Sequence, residues 1–134
     1  MKALQAGVLF LVTTVVVVTT APYQTLGAVG STVINSGACS DQSLASWTMK
    51  ATLKAPNKIK LNVTIDSAIP GSVWTVALTQ IPPGSSPFLN RKFTVNADGN
   101  IIINVTRPDN PGIDNFTLHA TARAGQVCDG SISL

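Results

Sequence analysis

The chain has 134 residues, room for one domain, with 45 % hydrophobic and 11 % charged residues and a formal net charge of +3. From Ser31 onward five lysines and three arginines stand against six aspartates and no glutamate, a balance of +2. That is too weak for nucleic-acid binding, which needs a clustered basic surface with stacking aromatics or a recognisable module. With a single histidine and two cysteines that pair, the chain cannot furnish a zinc or copper site, so neither metal nor other cofactor is expected.

The N-terminal "MKALQAGVLFLVTTVVVV" sets Lys2 before an uncharged apolar run ending at Val18, and "TTAPYQTLGAVGS" then turns polar and small. This is the layout of a secretory signal peptide. Residues 1–30 are read as that peptide, cut near 28–30 where Ala28 and Gly30 supply small side chains, and 31–134 as the mature domain. The alternative is retention of residues 4–21 as an anchor, since ~18 apolar residues just span a bilayer. Cys39 lacks the leucine three residues back that a lipoprotein site requires. Cys39 and Cys128 both fall in the exported part, so one disulfide between them is the economical reading in an oxidising compartment. Closing so long a loop is worth about 4–5 kcal/mol in the chain-entropy account, similar to the whole stability of a small domain.

After the leader no helical period survives, whereas two-residue alternation recurs. "WTMKATLK" places Trp47, Met49, Ala51 and Leu53 on one face. "KIKLNVTID" does the same with Ile59, Leu61, Val63 and Ile65. A three-residue "APN" loop lets Leu53 face Ile59, Ala51 face Leu61, Met49 face Val63 and Trp47 face Ile65. "VWTVALTQI" supplies a further strand with Trp74 inward, between the turn "IPGS" and the breaker-rich "PPGSSP". "RKFTVNA" and "NIIINVT" are expected to pair around "DGN", with Ala97 facing Ile101, Val95 facing Ile103 and Phe93 facing Val105. "NFTLHATAR" and "VCDGSISL" are expected to pair around "AGQ", with Ala122 facing Cys128, Ala120 facing Gly130, Leu118 facing Ile132 and Phe116 facing Leu134. About seven antiparallel strands predict an all-β fold, an immunoglobulin-like two-sheet β-sandwich or, failing that, a small β-barrel.

The segments "GSVWTVAL", "RPDNPGIDNFTLHATA" and "CDGSISL" resemble a group of small, uncharacterised secreted bacterial proteins common in actinobacteria. Those have a signal peptide, an early cysteine, a "G..W.V.L" strand, a "G.D.F...A" strand and a terminal "C.G...L" strand. The resemblance implies an exported sandwich closed by one disulfide, and it brings no catalytic or binding residues with it. The long "IPPGSSPFLN" connection and the isoleucine-rich "NIIINV" depart from that pattern.

The last hairpin invites a catalytic reading, because its expected register sets Ser131 directly across from His119 with Asp129 diagonal on the same outward face. A flat strand face offers a serine neither a sharp turn nor oxyanion donors, so no catalytic residue is assigned and no enzyme is expected. "DNPGIDN" gathers Asp109, Asn110 and Asp114, but without a calcium-loop spacing these read as turn formers. Asn62, Asn104 and Asn115 head glycosylation triplets, all on outward faces and usable only in a cell with that pathway. Lys50, Lys54, Lys58 and Lys60 share the outer face of the first hairpin, as a contact for an anionic partner or as charges that blunt a sheet edge. The expectation is therefore an exported, non-catalytic binding or structural module of the cell surface or medium, partnered by a cell-envelope polymer or another surface protein. A membrane-tethered envelope protein is the alternative, and a hydrolase using the His119 face comes behind both.

Overall fold

A computed structural model describes residues 30–40, 44–66 and 68–134. The expected leader, its expected cleavage near 28–30 and the alternative 4–21 anchor fall on or beside residues 1–29, which lie outside the described residues. Among the described residues no helix is long and apolar enough to cross a membrane.

Eight strands form two antiparallel sheets. These are β1 (Thr32–Ala38), β2 (Ser46–Lys54), β3 (Lys58–Asp66), β4 (Val73–Ile81), β5 (Pro87–Thr94), β6 (Ile101–Pro108), β7 (Asn115–Ala122) and β8 (Val127–Ser133). One sheet runs β1-β2-β3-β6 and the other β5-β4-β7-β8. The two-sheet sandwich expected from the alternation is present, with an eighth strand, β1, added at an edge. β1 escaped the alternation because Asn35 and Gly37 occupy its core-side positions, paired with Met49 and Trp47.

The β2–β3 hairpin has the expected register in every pair, Leu53 with Ile59 through Trp47 with Ile65. The β7–β8 hairpin does not: Phe116 pairs with Ile132, Leu118 with Gly130 and Ala120 with Cys128, a slip of two residues. Its loop is Arg123-Ala124-Gly125, closed by the Ala122 N–H donating to the Gln126 carbonyl at 2.9 Å. A three-residue hairpin loop puts its last residue in the left-handed region. Gly125 has φ +100° there, and Asn57 holds φ 52° at the same place in the first hairpin. In the expected register Gln126 would have had to adopt that conformation.

The expected hairpin between "RKFTVNA" and "NIIINVT" is not formed beyond its turn. Asn96 and Asn100 are joined across Ala97-Asp98-Gly99, with Gly99 at φ 84°, and the Asn96 side chain accepts from the Asp98 and Asn100 amides. The strands then part: β5 pairs with β4, setting Phe93 beside Trp74, while β6 pairs with β3, setting Val105 beside Leu61 and Ile103 beside Val63. Alternation fixes the face a residue occupies, not the sheet it joins.

The core lies between the sheets, where Trp74, Phe116, Met49, Ile59, Leu61, Ile65, Leu78 and Leu118 are fully buried. Each such side chain contributes roughly 1.5–3 kcal/mol on removal from water. Trp47 fills the gap between β1, β2 and β8, its indole resting on Gly37 and Gly130. Along this side β1 and β8 are stitched together. Cys39 and Cys128 form the expected disulfide, with Cα atoms 4.3 Å apart. Beside it the Ser40 N–H donates to the Val127 carbonyl at 2.7 Å, and Asn35 Nδ2 donates to the Ser131 carbonyl at 2.8 Å. On the opposite side β5 and β6 are edge strands, where Arg91 sits at a core-side position opposite Val76 but stays exposed over the Phe93 ring at 4.8 Å. A charge so placed discourages pairing with another sheet.

Candidate functional site

The two-residue slip rearranges the last hairpin. His119 faces Asp129, and Ser131 faces Thr117. His119 Nδ1 lies 2.6 Å from Asp129 Oδ1 with both side chains well exposed, at 60 % and 70 %. The expected placement of Ser131 across from His119 is thereby corrected: Ser131 now lies diagonal to His119, and among the described residues no hydroxyl is hydrogen-bonded to the pair. What remains is a solvated cross-strand pair, worth at most about 1 kcal/mol.

The polar groups that converge most closely lie at the end of the sandwich bearing the 55–57 turn and the 109–114 loop. Asp114 is fully buried, yet its carboxylate accepts from Gln80 Nε2, Asn110 Nδ2 and the Asn110 amide, each at 2.9 Å. A buried carboxylate is tolerable on such terms, because donors aimed at it replace the lost water. Burial, followed by the charge of the Asp114 carboxylate and a hydrogen bond to it, holds the Asp109 carboxyl above the ordinary carboxylate range. The loop does gather Asp109, Asn110 and Asp114, but as an internal network rather than only as turn formers. Among the described residues no three metal-ligating side chains come together.

Gln80 extends this network. Its Nε2 also donates to the Pro108 carbonyl at 2.7 Å, and its Oε1 accepts from Arg107 Nε at 3.0 Å. The Arg107 guanidinium lies over the Phe88 ring, 4.2 Å from its centroid. Beside it opens a pocket of about 220 Å³ lined by Gln80, Pro83, Gly84, Ser86, Phe88 and Arg107. The sequence reading missed Gln80 and Arg107. A signal was present: Gln80 continues the inward series Trp74, Val76, Leu78, and Arg107 continues Ile101, Ile103, Val105. A polar residue in a core-facing register needs a partner, and these two meet.

Lys50, Lys54, Lys58 and Lys60 are all exposed on the outer face of the β1-β2-β3-β6 sheet, Lys54 directly opposite Lys58. None of the four has an ion pair among the described residues. Asn62 and Asn104 face each other on this surface, and Asn62 Nδ2 donates to Asn104 Oδ1. Asn115 is exposed on the other sheet and accepts from Ser133 Oγ. Trp47 and Trp74 are both buried, as expected.

The chain matches no known protein family, no curated protein and no solved structure. The disulfide-closed sandwich therefore stands on the chain's own geometry, and the resemblance to secreted bacterial proteins remains a resemblance.

Proposed function

We propose that the chain is an exported, non-catalytic β-sandwich of the cell surface or medium that binds an anionic partner, a cell-envelope polymer or the acidic face of another surface protein. The observation that carries this reading is the lysine face: Lys50, Lys54, Lys58 and Lys60 project from one side of the sheet without an ion pair among the described residues, with Asp66 at the far end of β3. Opposite charge spread over such a face raises the encounter rate and sets orientation more than it adds affinity. Export is supported by the single disulfide, since such bonds persist in oxidising compartments.

Two measurements test the reading. Wild type should bind sodium polyphosphate at low salt, weakening steeply as added salt shortens the screening length. The Lys50→Glu/Lys60→Glu variant should bind at least tenfold more weakly with an unchanged melting temperature. Equal binding by the variant, or insensitivity to salt, would remove the lysine face from the proposal. N-terminal sequencing of protein recovered from its host addresses export: a start near residue 29 or 31 supports it, and retention of residues 4–21 favours the tethered alternative.

A further inference from the structure

The Arg107 pocket lies at the β5–β6 edge, with Arg107 on the core side of the sheet whose outer face carries the lysines, and poses a separate question. Gln80 is 2 % exposed; both of its amide N–H groups are used, on Pro108 and Asp114, and its oxygen accepts from Arg107. The Arg107 guanidinium is thus held along one edge by the bond from Nε and across one face by Phe88. Its two terminal nitrogens have no protein partner among the described residues. An arginine already fixed in place loses little freedom on meeting a ligand, which makes the contact more favourable than one from a mobile surface side chain.

The pocket's dimensions and charge narrow the ligand. A volume of about 220 Å³ falls below the roughly 300–1,000 Å³ of sites that engulf a drug-sized molecule, so it accommodates a terminal group rather than a whole compound. The lining contains one cation and no carboxylate. A guanidinium edge matches the two oxygens of a planar carboxylate in a pair of parallel hydrogen bonds. A phosphate dianion would bring a second charge with no second cation to meet it, and the buried Asp114 carboxylate stands behind Gln80. Pro83, Gly84 and Ser86 come from the connection between β4 and β5, and Phe88 from the start of β5. We infer that this pocket binds a free carboxylate, carried at the end of a peptide or on an acidic sugar, with the Arg107 terminal nitrogens as the recognising group.

The test is an amide-resolved NMR titration of the oxidised 31–134 domain that includes the Arg107 Nε–H resonance. N-acetylglycine stands for a peptide end, glucuronate for an acidic sugar, and N-acetylglycinamide for the same shape without the charge. Saturable shifts at residues 83–88 and Arg107 with either acid, absent with the amide, support the site, and the acid that binds names the source. Ser86→Glu places a competing carboxylate at the exposed mouth without touching Gln80 or the core, and should weaken binding at least tenfold. Arg107→Lys should weaken it as well, keeping the charge but losing the fork. The Lys50→Glu/Lys60→Glu variant should bind these probes as wild type does, so this site can fail while the lysine face succeeds, and the reverse. Shifts equal for acid and amide, an unaffected Ser86→Glu variant, no response from Arg107, or tighter binding of inorganic phosphate than of both acids would each overturn the inference.

Discussion

Replacing Gly130 by alanine sets two physical effects of opposite sign against each other. In a strand interior glycine costs roughly 0.5–1 kcal/mol relative to alanine through the freedom it loses on folding, so on backbone grounds Gly130→Ala should stabilise. Packing opposes this. A Cβ at position 130 would lie 2.8 Å from Cδ2, Cε3 and Cζ3 of Trp47, and one at position 37 would lie 2.9 Å from Cζ2 of the same indole. The ring is wedged between two backbones and buried, so moving off one glycine drives it toward the other. Overpacking of this kind costs about 1–3 kcal/mol, and a ring without a free side belongs at the upper end. The expected net effect is a loss of about 2 kcal/mol, or about 8–16 °C in melting temperature for a domain of this size. Thermal and urea unfolding of the oxidised 31–134 domain would measure it. Gly84→Ala, where a Cβ meets nothing within 4 Å, serves as the control and should be neutral or slightly stabilising. In a double-mutant cycle Trp47→Phe should absorb most of the Gly130→Ala penalty. A Gly130→Ala domain as stable as wild type, or more so, would refute the wedged-ring argument.

Other perturbations have defined outcomes. Replacing Cys39 and Cys128 with alanine should cost about 4–5 kcal/mol in urea unfolding, because the bridge spans 89 residues; a loss below ~1 kcal/mol would mean the hydrogen bonds along the β1–β8 side suffice. Asp109 holds its proton more tightly folded than unfolded, so its contribution is fully present below the unfolded value near ~4 and is lost as pH rises through the raised folded value. Asp109→Asn should therefore raise the melting temperature at pH 7, with the advantage vanishing on acidification below about pH 4; an advantage that persisted in acid would contradict this. His119→Ala should change stability by no more than ~1 kcal/mol, the ceiling for its exposed pair with Asp129, and leave polyphosphate binding intact. Ester hydrolysis by the wild type that the substitution abolished would restore the enzymatic reading.

The faces of nearly every strand were legible because alternation is a direct readout of burial: Trp47, Met49, Ala51 and Leu53 all point inward, as do Phe116, Leu118, Ala120 and Ala122. Register was less legible, for a reason built into the same period. A slip of two residues leaves every side chain on its face, so the hydrophobic pattern cannot detect it. The three turns carry the missing information, since each places its left-handed residue third in the loop, at Asn57, Gly99 and Gly125. Counting outward from those positions gives the observed pairs of β7 and β8, whereas counting from the nearest facing hydrophobics gave Ser131 to His119 in place of Asp129. Sheet membership was hidden altogether, because β5 and β6 follow one another through a tight turn and yet bond to β4 and β3.

The polar end of the sandwich follows the same logic with its sign reversed. Where alternation delivers an apolar residue, the inward position says only that a core exists; where it delivers Gln80 or Arg107, the position requires a partner, because an unmatched polar group there costs about 1–3 kcal/mol. The partners came from segments distant in sequence: Asp114 from the loop before β7, the Pro108 carbonyl from the end of β6, and Phe88 from the start of β5. Gln80 satisfies the buried carboxylate with one end of its amide and fixes the arginine with the other. Gln80→Leu should therefore separate structure from recognition. It would strip Asp114 of one donor and lower stability, and it would also free Arg107 to turn on Phe88, so that carboxylate binding weakens even in the fraction that remains folded. A Gln80→Leu domain that lost stability and yet bound N-acetylglycine as tightly as wild type would show that recognition does not depend on the bond from Gln80.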